Sequence, residues 1–359
     1  MAGIFSRFLT KPTPSVLGID IGGSSVKVVQ LKQENGVAVL ETYGQLALGP
    51  YADKEVGQAV HLPAETISEN IQDLMREANV TTTSVGVAIP LNKTLLTTVS
   101  LPRKEGPELQ TMINLEARKY IPVPVSEVQL DWFVIPEEQG KELSPKMKVL
   151  LVAVHNEALT HLERIMNKIQ VAASFYEIEI FSTIRAVVDE PVKPVMVIDI
   201  GAAATKVYIV ERGLVARSHT ISRGGQDVSK ALSQSSSLGF AKAEQLKREE
   251  GISDTAPKPY NKDSVTLTYS NIFAEAKRVL REFETSEKRP VSGIVLTGGG
   301  GVTKNLKEYA GTFFETEVTL ADPFQKTDAP AFMRPVLEEI GPEFAVAVGV
   351  ALRKLEEVS

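Results

Sequence analysis

The chain contains no cysteine, which excludes a disulfide framework, a thiol nucleophile and a thiolate metal site, and suits a reducing compartment. Its four histidines, His61, His155, His161 and His219, are scattered; His155 and His161 stand six residues apart, the wrong spacing for one helix face, so no histidine metal site is expected. Basic charge is not in excess either. With 39 Lys and Arg against 45 Asp and Glu the formal charge is −6, and no global basic field argues for nucleic acid. No run approaches the roughly 18–20 apolar residues of a membrane span, and there is no signal-peptide core, so a cytoplasmic protein is expected. One stretch qualifies this. Ile4, Phe5, Phe8 and Leu9 would share a face of a short helix beside Arg7 and Lys11, which reads either as a frayed lead-in or as a contact for a membrane or partner.

What is present is a device used twice. GIDIGGSSVKVVQL begins at Gly18 and VIDIGAAATKVYIV at Val197, with Asp20 answering Asp199, Gly22 answering Gly201 and Lys27 answering Lys206. The offset is a constant 179 residues, about half of the 359, and six of the eleven columns from Ile19 to Val29 are identical. Such a match points to two structurally related halves, each long enough to bury a core.

Alternation of β-rich and helix-periodic segments marks an α/β protein. Strands are expected at VLGIDIG and SVKVVQLK, and a third follows the hairpin dipeptide Asn35-Gly36. A helix over Ala64 to Ala78 has Ile67, Ile71, Leu74 and Met75 on one face, and SVGVAIP reads as a buried strand. From about residue 91 to 172 the texture changes to a strand, a helix from Lys104 to Tyr120, two strands and a helix from Asn156 to Gln170, an inserted subdomain. The second half repeats strand, turn, strand from Val195 to Val210. Helices are then expected at Gln226–Ser233, Phe240–Glu250 and Ser264–Glu284, followed by the strand GIVLTGGGG and a last helix from Pro342 to Glu357.

The repeated turn has a chemistry. A strand ending in Asp and turning through Gly22 and Gly23 exposes backbone N–H groups at Ser24 and Ser25, a nest for phosphate, and Lys27 could reach back as a point charge. Asp20, and likewise Asp199, suits a hydrated Mg²⁺. Either hairpin alone also reads as a bare structural turn; two in register would clamp a phosphate chain from opposite sides of a cleft. The second turn offers Gly201, Ala202, Ala203, Thr205 and Lys206. Gly298, Gly299 and Gly300 make a turn without side chains where a base and ribose can approach, or else a flexible loop. Glu244 and Lys247, at i and i+3, suit ribose hydroxyls or form a solvated ion pair.

This ordered set resembles the actin, Hsp70 and sugar-kinase superfamily, and the insert resembles the extra subdomain of its FtsA branch. The stretch LPRKEGPELQTMINLEARKYIPVPVSEVQLDWFVI is most similar to the PilM family of type IV pilus assembly. The resemblance implies a ribonuclease H-like duplicated, actin-like two-domain ATP-binding fold with an FtsA-type insert. It divides the chain into a first core (16–90, 173–194, with 341–359 returning), the insert (91–172), a second core (195–223, 291–340) and an accessory subdomain (224–290). It also implies ATP and Mg²⁺ between the halves, and a groove between first core and insert for the N-terminal cytoplasmic tail of a PilN-like membrane protein. Glu116, Tyr120, Ile121 and Val123 are the candidates to line that groove, or are ordinary subdomain core. Pilus motor ATPases, the platform protein and a second copy are further implied partners, and membrane association would be indirect, at the inner membrane. For hydrolysis, the acidic candidates are Asp20, Asp199, Glu177 and Glu179, none with a motif behind it, so tight binding with slow or absent turnover is expected. FtsA-like division proteins, type II secretion platform proteins and small-molecule kinases share parts of the pattern. An FtsA-type protein usually carries a C-terminal amphipathic helix, whereas this sequence ends RKLEEVS.

Overall fold

The strands and helices follow one another in two matched series. Chain order runs β1 (Ser15–Ile21), β2 (Ser25–Glu34), β3 (Val37–Ala47), α1 (Ala64–Glu77) and β4 (Val85–Ile89). The insert follows as β5 (Thr94–Pro102), α2 (Gly106–Ala117), β6 (Val128–Val134), β7 (Lys146–His155) and α3 (Asn156–Ile169), after which β8 (Ala173–Ile178) and α4 (Glu179–Val187) return to the first half. The second half comprises β9 (Val195–Ile200), β10 (Thr205–Glu211), β11 (Leu214–Ile221), α5 (Gly225–Ser236), α6 (Phe240–Glu250), α7 (Lys262–Glu287), β12 (Ile294–Thr297), α8 (Leu306–Phe314), β13 (Val318–Leu320) and α9 (Arg334–Val358). The computed structural model describes residues 15–136, 144–189 and 192–358, with side chains as far as 355. The N-terminal Ile4–Leu9 stretch lies outside the described residues.

Two five-stranded sheets have the same order, β3-β2-β1-β4-β8 and β11-β10-β9-β12-β13. In each, three antiparallel strands continue into two parallel ones. The repeat in sequence is thus a repeat in topology. Registers agree residue for residue: Asp20 pairs with Lys27 across β1 and β2, and Asp199 with Lys206 across β9 and β10. β4 is buried at every position, as a strand covered on both faces must be.

The insert is a three-stranded sheet, β5-β7-β6. Period-two alternation along β7 sends Met147, Val149, Leu151 and Ala153 into a core shared with Leu109 and Ile113 of α2, and Leu150 and Val154 into the first-half core. α3 packs on α1 through Leu162, Ile165 and Met166, so the insert is bound to the first half by an apolar seam.

α9 lies across β1, β2, β4 and α4. The crossing is close: a methyl at Gly18 would overlap the backbone of Ala347, and one at Gly349 would overlap the Ser182 carbonyl. The helix begins eight residues before the expected start at Pro342, which sits inside it. Proline usually marks a helix boundary because it lacks the N–H donor. Here the Pro342 carbonyl accepts from Gly298 N–H at 2.9 Å and Thr297 Oγ1 at 3.0 Å, pinning the helix to the glycine run. α8 and β13 were not expected, although Leu306, Tyr309, Ala310, Phe313 and Phe314 follow helical spacing. Glu179 opens α4.

Two glycines in helices should respond oppositely to alanine. Gly349→Ala should cost about 2–3 kcal/mol, because the new methyl meets a backbone carbonyl that cannot move aside. Gly311→Ala in α8, where the nearest atom is 3.8 Å away, should gain about 0.5–1 kcal/mol. Urea unfolding of the two variants checks the pair; the same sign for both would contradict the packing.

Candidate functional site

The two repeated turns are built alike. Gly22 N–H donates to the Ser25 carbonyl at 3.0 Å, and Gly201 N–H to the Ala204 carbonyl at 3.0 Å. In each turn the next two amides, of Gly23 and Ser24 and of Ala202 and Ala203, donate to no protein acceptor among the described residues. Four backbone donors are therefore left for a ligand, the pattern of an anion nest. The surroundings hold both turns. Leu48 N–H donates to Ser24 and Val60 N–H to Gly23, while Gly225 N–H donates to Gly201 and Gln226 N–H to Ala202.

Below the turns lies a buried set of charges from both halves. Asp20, Lys27, Glu179 and Asp199 are each less than a tenth exposed. Lys206 Nζ lies 2.6 Å from Glu179 Oε2 and 3.5 Å from Asp199 Oδ2. Burial disfavours its ammonium, but Glu179 and Asp199 more than offset this, and its pKa stands above the ordinary lysine value. The other oxygen of Glu179 accepts from Leu91 N–H at 2.5 Å, at the junction with the insert. Lys27 differs from its counterpart. It donates to Ser25 Oγ at 2.8 Å and has no carboxylate within 4.0 Å among the described residues. Burial pushes the Asp20 carboxyl up to about 6, against the pull of Lys27 and Lys206 and with the help of Glu179 and Asp199.

The two acidic candidates on the β8–α4 junction separate. Glu177 is held by Arg185 at 2.7 and 2.9 Å, by Ser182 at 2.5 Å and by Arg353 at 3.1 Å, so it locks α4 to α9 and faces no cleft group. Glu179 is the one that enters the charge cluster. Among the described residues no three metal-ligating side chains approach closely enough to hold a metal ion directly.

Glu244 and Lys247 also form no solvated pair. Both are buried, 2.7 Å apart, and Glu244 further accepts from Ser229 at 2.5 Å and Arg248 at 2.8 Å. Burial would raise the Glu244 pKa, but Lys247, Ser229 and Arg248 together hold it low; burial lowers that of Lys247, and Glu244 only partly counters it. Gly57, at φ +91°, packs directly on the Glu244 carboxylate, and Ala59 N–H donates to Gln226 Oε1 at 3.0 Å. The segment after β3 therefore spans the cleft from one half to the other. Sequence reasoning missed it, since no motif marks Gly57 or Ala59.

The glycine run is required by packing, not by flexibility. Gly298 has φ +79° and a side chain there would strike Asp199; one at Gly300 would strike Ile200. Gly299 is the exception, its nearest neighbour being Glu343 Oε2 at 3.5 Å, so this turn presents open backbone. Glu343 in turn accepts from Gln45 of β3 at 3.0 Å.

The four groove candidates do not share one environment. Ile121 is buried in the core of the insert, with Val123 packed against it. Glu116 is paired with Lys119 at 2.7 Å and accepts from the half-exposed Tyr120 at 3.4 Å. Of the four, Tyr120 offers the largest accessible apolar surface.

A family model described as type IV pilus assembly protein PilM matches residues 18–355. The cell division protein FtsA of Neisseria meningitidis serogroup B is 22% identical over 383 residues, covering 94% of this chain and 90% of the relative. Among solved structures, the PilM-PilN type IV pilus biogenesis complex superposes with TM-score 0.81 at 23% identity, over 96% of this chain and 99% of that one. MreB 5 of Spiroplasma citri bound to AMPPNP gives 0.55 at 12% identity, over 96% and 98%. The fold is actin-like.

The raised Asp20 pKa carries a stability consequence. Between its ordinary value of 3.8 and about 6 the folded protein binds the extra proton, so this contribution falls as pH rises across that window and stays lost above it. Asp20→Asn should therefore stabilise the ligand-free protein at pH 8 by about 1–3 kcal/mol, and by less at pH 5. Urea unfolding at both pH values tests this; an equal effect at both would contradict it.

Proposed function

The chain belongs to the type IV pilus assembly protein PilM family, and from that premise we propose that it is an ATP-binding adaptor of the inner-membrane assembly platform, docking the N-terminal tail of a PilN-like protein. The observation that carries the nucleotide part is the pair of turns with four unused amides above a buried, carboxylate-free Lys27. Asp20 acts on this ammonium without touching it, and a phosphate chain would bring an anion into direct contact with it. Gly23, Ser24 and Lys27 would hold it from one side, and Ala202 and Ala203 from the other. Asp20 and Asp199 would orient waters of a bound Mg²⁺, and open backbone at Gly299 would receive the adenosine. Glu244 and Lys247 would meet the ribose after exchanging part of their present pairing. The bound nucleotide of the MreB 5 relative supports the same reading.

Turnover in this arrangement is slow. Glu179 already accepts from Leu91 N–H with one oxygen and from Lys206 with the other, so the ammonium competes with any water for this carboxylate and weakens it as a base. The working division keeps residues 91–172 as the insert and 224–290 as the accessory subdomain. Tail docking falls between the first core and the insert, near Tyr120. No described helix is long and apolar enough to cross a membrane; attachment to the inner membrane is proposed to run through the partner.

Lys27→Ala should raise the Kd for a fluorescent Mg-ATP analogue roughly 10- to 100-fold, the worth of a charge-assisted contact, measured at a temperature where urea unfolding shows the variant folded. Tyr120→Ala should leave nucleotide binding intact and weaken a labelled PilN-like tail, whose anisotropy should saturate with a Kd of about 1–100 μM in the parent protein. No tail binding by the parent near a millimolar would move the function toward an FtsA-like division role. Normal Mg-ATP binding by Lys27→Ala would misplace the phosphate site.

A further inference from the structure

Two adjoining cavities, of about 630 and 400 Å³, lie away from the nucleotide cleft, against β11 and α7, and share Arg217, Arg278 and Glu282 as lining. The smaller one separates the insert from the second half. Its walls include five successive residues of β5, Leu96 to Ser100, and five of β11, Val215 to His219. Consecutive strand residues point to opposite faces, so a wall that uses all five in a row is the strand's edge. Both strands end their sheets, β5 in β5-β7-β6 and β11 in β11-β10-β9-β12-β13, so neither edge has a partner strand. Among the described residues two contacts cross the gap: Ser218 Oγ donates to the Leu96 carbonyl at 3.4 Å, and Lys148 of β7 pairs with Glu287 of α7 at 3.3 Å.

The larger cavity supplies charge. Arg217, Lys277, Arg278 and Arg281 line it against one carboxylate, Glu282, in a chain whose formal charge is −6. Glu282 neutralises only part of this, at 2.9 Å from Arg278 and 3.8 Å from Arg217. Lys277 donates to the Phe313 carbonyl at 2.7 Å and is paired with Glu315 at 3.6 Å, which leaves Arg281 as the lining cation with no acceptor among the described residues. Ala274 and the Phe313 ring add apolar lining.

We propose that this slot binds an extended acidic segment of a partner protein, which pairs with the free edge of β11 and sends its carboxylates to Arg217, Arg278 and Arg281. A strand edge offers alternating N–H and C=O groups, which a peptide backbone satisfies and a phosphate backbone, having acceptors only, does not. The surplus of cations selects acidic side chains. This surface includes none of Glu116, Tyr120, Ile121 or Val123, so it is separate from the tail groove and does not depend on that reading.

The test uses the full chain and a fluorescein-labelled ten-residue peptide of alternating Glu and Val, with a Lys-Val peptide, a twenty-residue oligothymidine and phosphatidylglycerol vesicles in parallel. The Glu-Val peptide should bind, the Lys-Val peptide should not, and hydrogen exchange of the Val215–His219 amides should slow in the complex. Arg278→Glu with Arg281→Glu should weaken binding about 10-fold or more at unchanged melting temperature. Should the double variant melt early, the exchange pattern of the parent protein decides alone. Equal binding by the double variant, protection only at other strands, or preference for oligothymidine or vesicles would overturn the proposal.

Discussion

A buried ammonium held by carboxylates from both halves of the molecule is the constraint on which the arrangement depends. Lys206 projects from the second half and meets Glu179 of the first at 2.6 Å, with Asp199 of its own half at 3.5 Å. Ion pairs of this kind add little net stability, because desolvation cancels much of the attraction, but breaking one by removing a partner typically costs about 3–5 kcal/mol. Its effect is on geometry: the halves have a preferred closure. Glu179 extends the link, since its second oxygen holds Leu91 N–H where the chain enters the insert. One carboxylate thus touches the second half, the first half and the subdomain beside which a partner tail is proposed to dock.

The duplication has diverged where chemistry requires it. Backbone geometry is shared to the level of single hydrogen bonds, Gly22 to Ser25 and Gly201 to Ala204. The two lysines occupy equivalent register positions and have different partners. Lys206 is in direct contact with protein carboxylates, whereas among the described residues Lys27 touches a serine hydroxyl and acts on Asp20 from farther away. One copy of the device holds the halves together and the other is proposed to keep a charge for a ligand. The contacts from Gly57 to Glu244 and from Ala59 to Gln226 join the halves, so the residues proposed to meet the ribose also take part in the closure.

Much of this was legible in the sequence because it is local. The strand–turn–strand repeat, the Asn35-Gly36 hairpin and the apolar stripe of α1 each depend on spacing within a few residues. So does α8, whose Leu306, Tyr309, Ala310, Phe313 and Phe314 spacing was there to be read and was passed over between a glycine run and a short strand. What spacing could not convey is partnership across the chain. Glu177 and Glu179 are two residues apart and look equivalent, yet one is consumed by Arg185 and Arg353 and the other faces Lys206. The Glu244–Lys247 pair reads as a surface pair at helical spacing, and is buried because α5 and the segment after β3 cover it. Pro342 reads as a helix start, but the helix runs through it, with its carbonyl held by the glycine turn. Of the two readings that spacing leaves open for Ile121, groove lining or subdomain core, its burial in the insert fits the second.

The central claim is that both copies of the repeated turn grip one ligand. Hydrogen exchange of the amides from Gly22 to Ser25 and from Gly201 to Thr205, followed as Mg-ATP is added, tests it most directly. The account predicts that both turns slow together, along one saturation curve. Protection of a single turn, or of neither at saturating nucleotide, would contradict it.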